Sequence, residues 1–426
     1  MSSRPPNDAA AEKRLLIALA AVQFVCVSDF VIVSPLGPVL MRTFDVGPTQ
    51  LGALVSAYTF SAAIAGFAGA LFVDRFDRRR LLLVLFAVFA LALLAASAAP
   101  SYPTLMAARV LGGAVGGLTG ATVYTIIGDV VPESRRGAAT GVVMTAFAVA
   151  TVAGVPIGLL FAGWFGWHAP FLALALLAVL VGGYARRVLP RIDAHLRPAS
   201  PDSHPVLDAL RPIGQVLRNA NHLRAYLFVV LLSFSAFMVI PYIAVYTTSN
   251  VGVTERQLPL IYLAGGAATL FTARLIGRLA DRHGHKRVYR AVAAASIVPL
   301  LLTTHLPPVA FGWALLVAVL FLVIVSGRMV PGNAIITGCA VPRLRGTFMS
   351  LNASIQSLAQ AAATFLAGLI IGRGADGRLE HFGTVGWCGV AATIAAMLWV
   401  RWLRPGVEPA TESVARPEVD SGARTP

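Results

Sequence analysis

About twelve uninterrupted apolar stretches, each long enough to cross a bilayer, leave this chain few ways to fold. They lie near 15–36, 50–73, 81–99, 103–128, 138–161 and 167–186, then near 224–248, 257–280, 288–304, 308–339, 346–371 and 382–403. Inside hydrocarbon no water bonds a backbone N–H or C=O, so a crossing segment is a helix or part of a closed barrel. Runs of about twenty residues without period-two alternation select helices. The chain is 57% apolar and 12% charged over 426 residues, which fits an all-α polytopic membrane protein and not a set of soluble domains.

The stretches fall into two groups of six, and a charged string marks their equivalence. GALFVDRFDRRR (Gly69 to Arg80) and GRLADRHGHKR (Gly277 to Arg287) each close the second stretch of a group, with Asp74 and Asp281 207 positions apart. Self-similarity at a fixed distance indicates a duplicated unit. The expected organisation is a six-helix bundle over 1–186, a linker over 187–223, a second six-helix bundle over 224–404 and a polar tail over 405–426. The tail and residues 1–13 have the composition of disordered segments. In the linker, Val206, Leu207, Leu210, Ile213, Val216 and Leu217 share a helical stripe, with Arg211 and Arg218 among the polar positions. That pattern suits a helix on the membrane surface or a solvated connection.

The net charge of +15 raises the question of a nucleic-acid partner, and the placement of the charges answers it. With the N-terminus inside, the basic clusters around Lys13, Arg75 to Arg80, Arg135, Arg186 to Arg224, Arg282 to Arg290, Arg343 and Arg401 all fall on one side. Only Arg42, Arg256, Arg373 and Arg378 fall on the other. This is the positive-inside pattern of a cell (inner) membrane protein with both termini cytoplasmic, and it accounts for the basicity without nucleic acid. The first apolar run is too long for a signal-peptide core and lacks a small-residue cleavage site, so it reads as the first helix. Cys26, Cys339 and Cys388 are odd in number, lie in apolar stretches and have no metal-type spacing, so no metal or cofactor is expected.

Two six-helix halves joined by a linker, with an Asp-Arg string after the second helix of each, resemble the major facilitator superfamily of secondary transporters. The second string matches that family's loop motif through Gly277, Asp281, Arg282, Gly284, Lys286 and Arg287. The first matches at Asp74, Arg75, Arg78 and Arg79 but carries Ala70 and Asp77 where glycines are expected. RVLGGAVGG (Arg109 to Gly117) is similar to the family's helix-four arginine-glycine motif. ATVAGVPIG (Ala150 to Gly158) resembles the helix-five Gly-Pro motif of exporters, with Val155 between Gly154 and Pro156, and Gly158 closing it. The resemblance spans about residues 14–404. Its GVPIG, FGWHAPF and SGRMVPGNA segments look like those of bacterial sugar-efflux and drug-efflux permeases of the arabinose-efflux and chloramphenicol-resistance kind.

An ionised side chain at mid-membrane costs about 2.5–3.5 kcal/mol on insertion scales, so each one marks a candidate site. Asp29 is the acidic residue deep in a span. It is expected to carry a proton between the two sides, or else to be a permanently paired structural charge or to cap a break near Pro35 and Pro38. Arg109 matches the arginine that the family associates with proton coupling. Arg328, followed by Pro331, Gly332 and Asn333, is expected either to face Asp29 or substrate in the cavity that the family lines with helices one, four, seven and ten, or to make a packing ion pair. Asn352, Gln356 and Gln360 recur every four residues and form a polar stripe, which serves either substrate or a neighbouring helix. Tyr242 and Tyr124 offer aromatic surfaces to substrate or to packing. Asp74, Arg75, Arg78, Arg79, Asp129, Arg136, Gly277, Asp281, Arg282, Gly284 and Arg287 form the expected cytoplasmic gate, effective as a network since single surface pairs are worth under about 1 kcal/mol.

These readings combine into a secondary active transporter, a proton-coupled antiporter that exports a small organic solute such as a sugar or a drug-like molecule by alternating access. Its expected partners are the solute, protons and the bilayer, with one chain as the working unit. An uncoupled facilitator or importer of the same fold is the first alternative, and a transport-inactive membrane sensor or scaffold the second. An enzyme is not expected: the chain has no nucleotide-binding loop, no metal-ligand cluster and no nucleophile with a base at recognisable spacing.

Overall fold

The computed structural model describes residues 9–72, 76–193 and 205–406. Among the described residues, twelve helices are long and apolar enough to cross a membrane. In the first half they are α1 (Ala9–Ile32), α2 (Pro48–Phe72), α3 (Arg78–Ser97), α4 (Tyr102–Val130), α5 (Glu133–Phe165) and α6 (His168–Val188). In the second they are α7 (Ala220–Val251), α8 (Leu258–His283), α9 (His285–Thr304), α10 (Phe311–Cys339), α11 (Arg345–Ile370) and α12 (Phe382–Trp399). A two-residue β-ribbon, β1 (Gly372–Arg373) against β2 (Leu379–Glu380), closes the α11–α12 connection.

Local sequence sets the ends of these helices. Asp77 caps α3 by accepting the Arg80 amide at 2.7 Å, and Asn219 caps α7 by accepting the amides of Asn221 and His222. Ser101 and Thr104 form a reciprocal box at the start of α4. The interruptions are equally local. α1 ends at a turn through Val33–Leu36 containing Pro35, and a short helix, Gly37–Phe44, continues from it. α7 narrows to a single 3₁₀ turn at Ile240–Tyr242 around Pro241. In α5, Pro156 cannot donate to the carbonyl four residues back, and a π turn over Ala150–Gly154 takes up the misfit. α10 breaks at Gly327–Arg328, three residues before Pro331.

Within the halves, α2 and α3 pack on α4, and α3 and α1 on α6. In the second half α7 packs on α11 and α12, α8 on α10, and α9 on α10 and α12. The halves meet through α2 against α11 and α5 against α8. Both chain ends leave from one face. The linker helix Pro205–Arg218 docks there on α7 and α11, with Val216 buried and the Arg343 guanidinium donating to Gln215 at 3.3 Å. Side chains 205–210, which carry the first part of the expected stripe, lie outside the described residues, as do 1–8 and 407–426. Residues 9–13, expected to be disordered, are the first turns of α1, because Glu12 is held by Arg135 at 3.0 Å.

On the opposite face the halves are latched. Arg42 pairs with Glu255 at 2.5 Å, and that bond holds the Arg42 guanidinium above its ordinary pKa. Thr49 donates to the Gly368 carbonyl at 2.7 Å. The Tyr242 hydroxyl donates to the Thr364 carbonyl at 2.9 Å, in a notch where a Cβ on Gly52 would stand 2.1 Å from it and one on Gly368 2.5 Å. Only residues without a side chain let the α2–α11 crossing close over this tyrosine. Gly52→Val is therefore expected to eject the Tyr242 hydroxyl and loosen the latched face. In purified protein a Thr49→Cys reporter should react with a maleimide several-fold faster in that background; an unchanged rate would refute the latch.

Candidate functional site

Asp29 sits on α1 four residues before the Val33–Leu36 turn, and Arg109 on the second turn of α4. The Arg109 guanidinium donates to Asp29 Oδ1 at 2.6 Å and also approaches the Asp29 backbone carbonyl at 3.5 Å. The two residues are 1% and 2% exposed, so the pair is sealed. Tyr58 of α2 roofs it: its ring lies 4.5 Å from the guanidinium carbon, and its hydroxyl donates to the Cys26 carbonyl at 3.4 Å. The ring stacks on Phe30 at 5.6 Å, and Phe30 stacks on Phe237 of α7 at 6.3 Å. A continuous aromatic path thus runs from the ion pair to the other half.

The glycines after Arg109 explain how three helices converge on one ion pair. A Cβ at Gly113 would fall 2.2 Å from the Tyr58 carbonyl, and one at Gly116 2.5 Å from the Tyr58 hydroxyl. Gly117 abuts Ala62 in the same way. α5 approaches α1 by the same device, since a Cβ at Gly154 would meet Ser28 Oγ at 2.9 Å and one at Gly158 would meet Ile32 at 2.8 Å. Gly154 and Gly158 thus bring the π turn and Pro156 against the stretch of α1 that carries Asp29.

Arg328 lies elsewhere. It is fully buried inside the second half, where Nη1 donates to Thr393 at 2.8 Å and Ser296 at 3.3 Å, and Nη2 to Ser235 at 2.8 Å. These partners come from α12, α9 and α7. No carboxylate pairs with Arg328 among the described residues. The structure therefore brings Asp29 to Arg109 and not to Arg328, because the α10 break points that side chain into its own bundle.

The remaining sequence candidates are scattered. Tyr242 is buried in the latch of the closed face, while Tyr124 on α4 and Asn333 on α10 are exposed. On α11, Asn352 is buried with its amide oxygen unpartnered, and Gln356 and Gln360 are half-buried. Of the gate residues, Arg78 meets Asp129 at 3.3 Å, Arg79 donates to the Arg186 carbonyl, and Arg136 donates to the Val131 carbonyl at 3.0 Å. Asp281 meets His285 at 3.6 Å across the Gly284 turn. Gly277, Arg282 and Arg287 lie at the same end of α8 and α9, and Asp74 and Arg75 lie outside the described residues. Each of these bonds stays within one half.

Two groups escaped the sequence reading. Ser235, Ser296 and Thr393 are scattered hydroxyls without common spacing, and only the fold collects them around Arg328. Gln23, on α1 opposite Gly120 of α4, has a buried amide oxygen with no partner, and a lone glutamine in a long apolar run was its only signal.

Comparison with known proteins places this geometry. The Major Facilitator Superfamily profile matches residues 19–364 and 225–424. An uncharacterized MFS-type transporter, YtbD, of Bacillus subtilis (strain 168) is 25% identical over 396 residues, covering 91% of this chain and 95% of that protein. Among solved structures, a D-xylose-proton symporter superimposes with a TM-score of 0.72 at 16% identity, over 92% of this chain and 98% of that one. The nucleoside transporter NupG gives 0.70 at 13% identity, over 92% and 99%. A bacterial homolog of the human lysosomal transporter Spinster, in an inward-facing and unoccupied conformation, gives 0.68 at 16% identity, over 93% and 96%. With its helices in two six-helix bundles and the profile matched through both, this chain belongs to the Major Facilitator Superfamily of membrane transporters.

Proposed function

We propose that the chain exports a small organic solute in exchange for protons, with Asp29 as the proton carrier and Arg109 as its counter-charge. The observation that carries this reading is that the carboxyl at membrane depth, Asp29, is paired with an arginine of another helix, Arg109. Every other described acidic residue lies at a helix end, in a loop or in the linker helix, so Asp29 is the protonatable carboxyl at membrane depth. A carboxylate held by an arginine can exchange partners: a proton arriving at Asp29 neutralises it and frees the guanidinium. The pair also sits where α1, α2, α4 and α5 converge, so any change in its charge is felt by four helices of one half. A proton moving down about 100 mV supplies about 2.3 kcal/mol, enough to drive solute uphill by well over tenfold.

On this reading the latched face is extracellular, the chain ends are cytoplasmic, and the conformation is the inward-facing one. The positive-inside pattern supports the orientation. The helix-five segment supports export through its resemblance to the Gly-Pro motif of exporters, and its Gly154 and Gly158 seat α5 on α1. Substrate would enter between the halves past Tyr124 and Asn333, towards the polar edge of Asn352, Gln356 and Gln360. Sugars, amphenicol-type drugs, nucleosides and amino-acid derivatives fit such a path chemically. Arg328 is assigned to the scaffold, because its three hydroxyl partners sit inside the bundle. The gate bonds, made within each half here, would re-form between halves when the cytoplasmic side closes. The competing reading is an uncoupled facilitator with Asp29 as a permanent structural charge, and the complete burial of the pair is the observation that favours it.

Comparing the parent with Asp29→Asn separates the two. In vesicles the parent's transport should follow an imposed pH gradient and the variant should lose that drive while retaining solute exchange; parent transport indifferent to the gradient would leave the facilitator standing, and undiminished gradient-driven transport by the variant would remove Asp29 from the coupling. Stability gives a second contrast. Arg109→Leu strands a buried carboxylate and should cost about 3–5 kcal/mol. Arg328→Met should cause no loss of thermal stability, because Ser235, Ser296 and Thr393 each keep a bond to a carbonyl of their own helix. A large drop in melting temperature for Arg328→Met would show that the cation is a structural linchpin.

A further inference from the structure

A second site lies far from the ion pair. At the face carrying the described chain ends, the α8–α9 turn, the end of α10 and the segment after α12 line an open cavity of about 360 Å³. Its apolar wall includes Ile335, Cys339 and Leu403, while Lys286, Arg287 and Arg404 contribute three permanent cations and none of the lining residues is acidic. The Lys286 ammonium donates to the Leu403 carbonyl, which fixes it against the wall and leaves it two further N–H donors. The backbone of Arg404 is clamped by Asn221, whose side chain donates to its carbonyl at 2.7 Å and accepts its amide at 2.9 Å. Lys286 is therefore held by its ammonium and Arg404 by its backbone. Asp281 is not among the lining residues; it is exposed and pairs at 3.6 Å with His285, which is among them.

The surroundings identify the depth of the site. Trp399 donates its indole N–H to the Arg224 carbonyl at 3.0 Å, and the exposed Trp402 carries Arg401 over its ring at 4.5 Å. Tryptophans with polar tips and apolar bodies collect at the boundary between hydrocarbon and headgroups. The cavity thus opens one residue beyond an aromatic belt, at headgroup level, with apolar helix surface beside it. α9 starts beside it, after Gly284, which has no side chain to cap the helix.

We infer that this cavity binds the phosphate of an anionic phospholipid, with Lys286 and Arg404 as its cationic contacts and the acyl chains lying along α9 and α12. The lipid would tie together α8, α9, α10 and α12, and with them the loop between α8 and α9. A free phosphate ion offers the same charge but no chains for the apolar wall. The inference takes the orientation from the proposed function, in which this face meets the anionic leaflet, but lipid retention is read without any transport and so fails or stands independently.

The test uses the purified full chain in mild detergent, titrated with phosphatidylglycerol, phosphatidylcholine of the same chains, or inorganic phosphate. Bound lipid is counted by native mass spectrometry, and melting temperature is followed in parallel. Phosphatidylglycerol should be retained and raise the melting temperature, whereas the other two should not. Lys286→Gln with Arg404→Gln should weaken retention on the order of tenfold. Arg187→Gln with Arg191→Gln, which removes two charges from the same face of the other half, should leave it unchanged, and the charge-preserving Lys286→Arg should bind as the parent does. Equal retention in the Lys286/Arg404 variant, an equal loss in the Arg187/Arg191 variant, or equal protection by inorganic phosphate would overturn the assignment.

Discussion

The scarcity of partners for charge inside a bilayer governs this molecule more than any other constraint. A helix satisfies its own backbone, so apolar helices cross freely, but an ionised side chain must bring or find its own compensation. The first half meets this demand with an ion pair, Asp29 on α1 to Arg109 on α4, and much of its packing serves that contact. Gly113, Gly116 and Gly117 let α2 close until Tyr58 covers the guanidinium, and Gly154 and Gly158 let α5 close on the same stretch of α1. Small residues here convert a costly pair of charges into the point where four helices meet.

The second half meets the same demand differently. Arg328 is as deeply buried as Arg109, yet its partners are dipoles and not an opposite charge. Hydroxyls from three helices surround it, each already bonded to a carbonyl of its own helix. A duplicated architecture has therefore kept its frame while diverging in electrostatics. One half pairs its buried cation with a carboxylate, and the other surrounds its cation with hydroxyls and, among the described residues, no carboxylate.

Between the halves, α2 and α11 pack along a broad contact whose closest approach is set by glycines. The latched face is built from Gly52 and Gly368 around the Tyr242 hydroxyl, with Thr49 and the Arg42–Glu255 pair beside it. A single pair exposed to solvent contributes little, so the latch draws its hold from several weak contacts acting together. Such a closure is suited to opening, because no one bond has to supply the whole barrier. The interruptions in α1 and α7 flank this region, at Val33–Leu36 and Ile240–Tyr242, where the chain can bend at proline without breaking a full helical ladder.

The sequence by itself determined the crossing helices, the two-fold division and the family. The first two follow from local composition and fixed-distance repetition, and the family from the resemblance of short motifs; no distant contact alters any of these. It also marked Asp29, Arg109 and Arg328 as exceptional, since a charge in an apolar run is visible without coordinates. Which of them meet was decided only by tertiary structure. Asp29 and Arg109 are 80 positions apart, and Arg328 had an equal claim on Asp29 until the α10 break at Gly327–Arg328 turned it towards Ser235, Ser296 and Thr393. Tyr242 read as a surface for substrate or for packing, and the structure packs it as the key of the latch, because the glycines that receive it lie on α2 and α11. The physical reason is common to these cases: helix formation in a membrane is a local requirement, whereas the partner of a buried polar group is chosen by which helices approach most closely.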